Sequence, residues 1–253
     1  NPDSQKLAEK LCKTLDIQYL IDDITPILDS ALVYKIRDEI VQKLFPNFNN
    51  LCKYRIIFTE NFDNDGLSIP YLQIQDSQNQ THKIKISLND YLTMTAATNI
   101  KHRTRMSRLY YHAEKNNFLV CGTTNKAEFQ QGYFVKYGDG GVDIEPLANL
   151  FKTQVYQLAE SLNIPSEIIQ RKASPDTWSF QVSDEEFFFS LTYDIIDLML
   201  YAQEKSIPLS DICSTLEFDE DKVKRILKSQ ERKWNSSKSS RTFPPSFDMK
   251  DIS

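Results

Sequence analysis

Phe118-Leu119-Val120-Cys121-Gly122-Thr123-Thr124-Asn125-Lys126-Ala127-Glu128 is the stretch on which the reading of the fold turns. A short apolar run ending at glycine predicts a buried strand, and the segment from Gly122 to Gly132 then turns from that strand into a short helix. Backbone N–H groups at such a turn have no partner inside the helix, so together with the Thr123 hydroxyl they can meet an anion. Glu128, one turn into the helix, offers a carboxylate to a divalent cation. The plainer account of a glutamate at this place is that it favours the helix dipole.

Downstream lies Gly132-Tyr133-Phe134-Val135-Lys136-Tyr137-Gly138-Asp139-Gly140-Gly141-Val142-Asp143. The chain has six glycines, and five of them fall between Gly122 and Gly141. Glycine releases the backbone and lets a ligand approach closely, so this loop is the place to look for a site. Lys136 can meet a phosphate or carboxylate, and Asp143 can accept from a hydroxyl or amide.

Further outward, Ser4 to Asp16 has leucines at spacing four and predicts an amphipathic helix. Ile17 to Ile21 predicts a short strand, and Thr25-Pro26 a helix running to about Leu44. Residues 45–88 form a β-rich insertion or flap: Tyr54–Phe58, Tyr71–Ile74 and Ile84–Ile86 are short β-type runs between Asn, Asp, Gly and Ser clusters. The plain reading of that insertion is surface decoration. Asn89 to Asn117 predicts a long helix, and Lys152 to Leu162 an amphipathic one with Val155, Leu158 and Leu162 on its face. A loop around Ala173 to Val182 precedes a helical C-terminal region, residues 183–253. Its helices are expected at Glu185–Leu191, Tyr193–Gln203 and Asp219 to about Trp234, with an extended tail from Ser236. Alternating strands and helices predict an α/β domain with a parallel sheet and helices on both faces, 1–253 forming one domain. In such sheets ligands bind beyond the carboxyl ends of the strands, and the turn after Cys121 is such a place.

Composition bounds the function. The chain has 253 residues, is 40% hydrophobic and 26% charged, and carries a net charge of −5. A nucleic-acid binder usually has a basic footprint, so none is expected; the basic stretches Lys101–Arg108 and Lys222–Lys233 read as solvated helix faces. The four cysteines, Cys12, Cys52, Cys121 and Cys213, show no CxxC spacing, which argues against zinc or a disulfide framework. No apolar run reaches the length of a membrane span, and the N-terminus is no signal peptide. The expected setting is the cytoplasm.

Read together, these segments resemble the NAD synthetase family. The residues that carry the likeness run from Asn99-Ile100-Lys101-His102-Arg103-Thr104-Arg105-Met106 through Gly122-Thr123 and Lys136 to Asp143. They continue through Pro146-Leu147, Lys152-Thr153-Gln154-Val155, Ile164-Pro165 and Ser174-Pro175-Asp176 to Asp184-Glu185-Glu186. The insertion and Glu186-Phe187-Phe188-Phe189-Ser190-Leu191 depart from the plain family pattern and are similar to a branch found with bacterial surface-sugar pathways. The resemblance implies a Rossmann-like fold of the adenine nucleotide alpha-hydrolase type and a two-step reaction. A carboxylate attacks the α-phosphorus of ATP, and ammonia then displaces AMP to leave an amide; the acid is deamido-NAD or another small acid. It implies that Arg103, Lys136 and Asp143 contact the acid, Lys136 and Asp143 as catalytic groups, and that Thr123, Lys152 and Ser174 contact ATP. Glu128 would hold Mg²⁺, and the protein would be a homodimer.

Two departures qualify the likeness. The family's Ser-Gly-Gly-x-Asp-Ser pyrophosphate loop is not among these residues, and with no Met at the start it is expected upstream of Asn1. The family's His-Lys pair near the C-terminus stands here as Ser239-Ser240, before Arg241 and Pro244-Pro245. Serines lack the charge to grip a phosphate. The expected function is thus an AMP-forming amide ligase, most simply NAD synthetase. A ligase for another acid such as a sugar carboxylate, and a non-catalytic nucleotide-binding protein, are the competing readings.

Overall fold

The computed structural model describes residues 2–58 and 69–244. Helix α1 (Pro2–Thr14) starts on proline, with Asp3 in its first turn and Lys13 in its last, as the dipole favours. Residues 17–21 are not a strand. No ladder among the described residues takes them up, and Ile17, Leu20 and Ile21 are exposed; a β-type run forms a strand only where a partner edge satisfies its backbone. The single helix expected from Thr25 to Leu44 is two, α2 (Thr25–Ser30) and α3 (Val33–Leu44). The break falls at Leu32, whose φ is 56°. Leucine is no breaker, so the break was invisible in the pattern.

The insertion holds a three-stranded antiparallel sheet of β1 (Lys53–Phe58), β2 (Pro70–Gln75) and β3 (Thr81–Lys85), in that order. Its register pairs Tyr54 with Ile74, Ile56 with Leu72, and Leu72 with Ile84. Side chains alternate across a sheet, so one face gathers Tyr54, Ile56, Leu72 and Ile74. All four are buried, in one cluster with Ile40 and Val41 of α3 and with Met94. That face is a packed layer, which corrects the reading of the insertion as decoration. The part of the insertion at 59–68 lies outside the described residues.

Helix α4 (Leu88–Asn116) carries Met94. The Ser87 hydroxyl accepts from Asp90 N at its start, and Asn117 ends it in the left-handed region. The run from 118 to 121 is joined to 142–144 by one parallel bridge, Cys121 to Ile144, with Asp143 N donating to Val120 O and Gly122 N to Ile144 O. Val120 is buried, but Phe118 and Leu119 are 71% and 68% exposed. The expected burial of this strand therefore holds for one residue in the run. A parallel strand is buried when elements cover both edges and faces, and among the described residues only 142–144 pairs with it.

Helix α5 (Lys126–Gln131) follows through a capping box: Asn125 accepts from Glu128 N, and Glu128 accepts from Asn125 N. Then come α6 (Lys152–Ser161), α7 (Ser166–Ile169), a π-helical turn at Glu185–Phe189, α8 (Tyr193–Glu204), α9 (Leu209–Leu216), α10 (Glu220–Ser236) and α11 (Lys238–Arg241). Two details differ from expectation. Leu158 of α6 and Leu162, which follows the end of that helix, are exposed rather than buried. The tail, expected to be extended, turns helical at α11; residues 245–253 lie outside the described ones. The C-terminal helices pack through Met199, Ile212, Val223 and Ile226.

Candidate active site

The capping box that starts α5 also aims Glu128 inward. One carboxylate oxygen is used by Asn125 N at 3.1 Å, and the other lies 3.3 Å from Lys152 Nζ, the first residue of α6. Burial pushes the Glu128 carboxyl above its ordinary range, with Lys152 pulling the other way. Beside this pair stands Asp184, buried, accepting from Tyr133 Oη at 2.8 Å and Tyr193 Oη at 3.1 Å. Burial raises Asp184 as well, and it raises both tyrosines. Two largely buried carboxylates, one of them paired with a lysine, form a site where charge is costly to leave alone.

Glu128 and Ser174 line one chamber of about 840 Å³, whose wall also includes Tyr133, His102, Asp139 and Asp184. The size is that of a small-molecule site. His102 Nδ1 lies 3.6 Å from Asp139 Oδ1. Burial lowers the His102 pKa, against Asp139, while Arg105, Lys101 and Arg103 add to the lowering. These effects favour the neutral imidazole.

The seven residues expected from the sequence divide by position. Glu128 and Ser174 share the chamber, and Lys152 stands behind Glu128. Arg103 is exposed and donates from Nε to Lys136 O at 3.2 Å, while Lys136 Nζ donates to Ser239 O at 2.7 Å. Arg103, Lys136 and the Ser239-Ser240 tail thus form a second group. Asp143 is exposed too, and both its oxygens are taken, one by Tyr110 Oη at 2.9 Å and one by Val120 N at 2.7 Å. It braces the turn at 118–121. Thr123 is exposed at the end of that run. Neither Asp143 nor Thr123 lines the chamber.

Sequence reasoning passed over several residues that meet here. His102 and Asp139 were inside the quoted motifs but received no role. Lys101 was read as part of a solvated helix face and Arg37 was not singled out, yet both are buried, at 8% and 2% exposure. Both donate to Thr177 O: Arg37 from two nitrogens at 3.2 Å, and Lys101 from Nζ at 3.4 Å. Burial, then Arg37 and Arg105, lowers the Lys101 pKa to about 8. The available signal was a lysine inside Asn99 to Met106, one helical turn from apolar positions.

Among the described residues no cluster of three or more His, Cys, Asp or Glu side chains could hold a metal. A cage built wholly of protein is therefore not formed by them. Mg²⁺ needs less, since it is commonly bound through one or two carboxylates and the substrate's phosphates; the carboxylates on the chamber wall are Glu128, Asp139 and Asp184.

The sequence pattern of the family described as NAD synthase matches residues 56–239. The NH(3)-dependent NAD(+) synthetase of Rhizobium meliloti (strain 1021) is 37% identical over 226 residues, covering 89% of this chain and 68% of that protein. That of Thermotoga neapolitana is 36% identical over 249 residues, covering 97% of this chain and 76% of that protein. Among solved structures, NMN synthetase from Francisella tularensis superposes with a TM-score of 0.62 at 22% identity, covering 98% of this chain and 74% of that one. The NH3-dependent NAD synthetase from Campylobacter jejuni in complex with the nitrate ion gives 0.58 at 21%, covering 98% and 73%. These two share the overall fold of this chain. With the family pattern spanning most of its length and relatives above one-third identity along nearly all of it, the chain belongs to the NAD synthase family.

Proposed function

We propose that the protein is an ammonia-dependent, AMP-forming ligase that makes NAD from deamido-NAD, ATP and ammonia. The observation that carries this is Glu128 on the wall of the chamber that Ser174 shares, paired with Lys152 behind it. In the first step a carboxylate oxygen of the acid bonds to the α-phosphorus of ATP and pyrophosphate leaves. In the second, the ammonia nitrogen bonds to the acyl carbon, the acyl–oxygen bond to AMP breaks, and the nitrogen sheds a proton. Both steps need positioning and charge neutralisation more than a covalent nucleophile on the protein. Lys152 and Ser174 would meet ATP. Glu128 would hold Mg²⁺, which when bound neutralises phosphate charge. Thr123 would contact ATP, and Arg103, Lys136 and Asp143 the acid, with Lys136 and Asp143 acting on it. His102, next to Asp139 on the chamber wall, is placed to take the proton.

The reading places the protein in the cytoplasm as a homodimer, acting on a small acid and ammonia and binding no nucleic acid or membrane. Among the described residues no helix is long and apolar enough to cross a membrane.

A second reading keeps the chemistry and changes the acid. It is favoured by Lys136, whose ammonium is held by the carbonyl of Ser239 within the very pair that departs from the family pattern. The test is full-length protein with ATP, Mg²⁺, ammonium and a panel of acids. Equal yields of NAD, AMP and pyrophosphate from deamido-NAD are expected. Turnover of a sugar acid alone would select the second reading, and no pyrophosphate with any acid would leave a nucleotide-binding protein.

A further inference from the structure

Helix α6 begins without a side-chain cap of its own. Its N-cap residue is Phe151, whose ring accepts no such bond, so the first N–H groups of the helix need an acceptor from elsewhere. Asp197 of α8 supplies it. Asp197 Oδ2 accepts from Thr153 N at 2.8 Å and from Thr153 Oγ1 at 2.8 Å. A serine or aspartate at position 151 would satisfy the same groups within one turn of chain. Here the acceptor is a carboxylate on a different helix, only 4% exposed, and its Oδ1 has no hydrogen-bond partner among the described residues. Burial pushes the Asp197 carboxyl above its ordinary range, with the Thr153 N–H and hydroxyl pulling the other way. Burying a carboxylate with one oxygen unsatisfied is a costly way to cap a helix. What it supplies beyond a cap is position: the first turn of α6, and with it Lys152, is tied to α8.

Helix α8 is a firm base for that tie. Its Ile196 and Leu200 pack in one cluster with Phe151, at the start of α6, and with Ala127, next to Glu128 on α5. Met199 and Ala202 join a second cluster with Ile212 of α9 and Val223 of α10. Lys126 of α5 pairs with Glu204 of α8, and Lys126 N donates to Leu150 O at 2.9 Å. Tyr193 lies one turn before Asp197 on the same face of α8, and the Lys152 ammonium sits 5.3 Å from the centre of its ring. One helix thus meets Lys152 twice, at the backbone through Thr153 and at the ammonium through Tyr193. The outcome is the 3.3 Å approach of Lys152 Nζ to Glu128, whose own helix rests on α8 as well.

We propose that Asp197 is a positioning residue: by holding the first turn of α6 it sets the Lys152 ammonium beside Glu128, where the nucleotide phosphates are met. Asp197 does not line the chamber and acts only through Lys152; this rests on the reading above in which Lys152 meets ATP. The anchor is an acceptor for Thr153, so an amide oxygen can stand in for the carboxylate oxygen, whereas alanine leaves Thr153 N without its acceptor.

The test is a set of full-length variants, Asp197→Ala, Asp197→Asn and Thr153→Val, each made alone and on Lys152→Met. Two readouts are taken below the unfolding transition of each protein. One is the Kd for trinitrophenyl-ATP with Mg²⁺, by fluorescence; the other is kcat/KM for ATP in pyrophosphate release with deamido-NAD and ammonium. Asp197→Ala should weaken binding and lower kcat/KM by about tenfold or more, the scale of a phosphate contact set out of place, with the KM for deamido-NAD unchanged. Asp197→Asn should stay near wild type. Thr153→Val, which removes only the hydroxyl donor, should give a smaller loss in the same direction, and it carries the test if Asp197→Ala does not fold. On Lys152→Met, none of these changes should lower either readout further. A purely structural cap would lower Tm and leave the folded enzyme's kcat/KM intact. The proposal is overturned by that result, by Asp197→Asn as impaired as Asp197→Ala, or by a loss that persists undiminished on Lys152→Met. Nucleotide binding that follows the expected pattern, with no pyrophosphate released from any acid, would sink the ligase reading and leave the role of Asp197 standing.

Discussion

Lys152 Nζ and Glu128 Oε1 lie 3.3 Å apart, with about one-sixth of each side chain exposed. The pair links the first turn of α5 to the start of α6, and it is the only ion pair among the described residues that joins two of the expected site groups. Removing the lysine strands a carboxylate that burial already disfavours. Lys152→Met is expected to cost roughly 1–3 kcal/mol, less than a fully dry pair because of the residual exposure. It should also lower kcat/KM by about a hundredfold or more if the lysine stabilises transferring phosphate. Urea melts and steady-state kinetics check the two effects separately; wild-type kinetics in a clearly destabilised variant would remove Lys152 from the chemistry.

Glu128 gives a pH signature. Burial raises its folded pKa above the unfolded value, so the folded state holds this proton more tightly. The group's contribution to stability is full below the unfolded pKa and is lost as pH rises through the folded one. Glu128→Gln has no such loss. The difference in Tm, variant minus wild type, should therefore become more positive between pH 4 and pH 7 by an amount set by this one group. A difference flat across that window would show that the carboxylate is not raised.

Lys101 titrates the other way. Its folded pKa of about 8 lies below the ordinary 10.5. Between those values the unfolded chain binds the extra proton, so stability rises with pH there. The groups around it are Arg37, Arg105, Asp176 and the Thr177 carbonyl. Lys101→Met is expected to be more stable than wild type near pH 7, with the gap narrowing as pH climbs from 8 to about 10.5. Thermal melts of both proteins through that range decide it.

These charges show what the sequence could and could not reveal. The helices α1, α4, α5, α8 and α10 were legible because apolar spacing and caps are local signals. Ser87 and Asn117 bound α4, and Asn125 with Glu128 bounds α5. Arg37 was not legible. Its helix looks amphipathic, and Tyr54 of β1 together with Thr177 and Trp178, far along the chain, cover it. The ring contact of Phe58 with Phe187 was hidden for the same reason: the two are 129 positions apart and meet through tertiary packing alone. α9, eight residues directly after Pro208, was not singled out in the sequence. In the site, Glu128, expected at Mg²⁺, and Ser174, expected at ATP, both line the chamber. Asp143, expected at the acid from the resemblance, is exposed and accepts from Tyr110 Oη and Val120 N, contacts that its spacing in the motif did not reveal.

Leu32 holds a left-handed φ of 56° between α2 and α3 with its side chain about half exposed. A β-carbon in that region costs roughly 1–2 kcal/mol, and glycine carries no such cost. Part of the gain is offset by the greater freedom of glycine in the unfolded chain. Leu32→Gly should therefore stabilise by up to about 1 kcal/mol, a rise in Tm of some 2–4 °C for a domain of this size. A drop in Tm would mean that the exposed leucine contributes packing that outweighs the strain.

Gly132 ends α5 with φ at 70°, and a Cβ there would run into the Ser237 side chain. Ser237 sits where α10 gives way to α11, and Arg241 of α11 covers Trp234 with its guanidinium 3.7 Å from the ring centroid. The glycine thus lets the tail lie against α5, which keeps Ser239 O within reach of Lys136 Nζ. Gly132→Ala carries two separable costs, the left-handed strain of roughly 1–2 kcal/mol and the collision with Ser237. Ser237→Gly removes only the second. In a double-mutant cycle the two changes should couple favourably, by about 0.5 kcal/mol or more, because the alanine gains room when the serine is gone. The single alanine variant should also lose the tail's protection, seen as faster tryptic cleavage at Lys238 and Arg241. Additive effects in the cycle, with unchanged cleavage, would mean that the tail does not depend on this close approach.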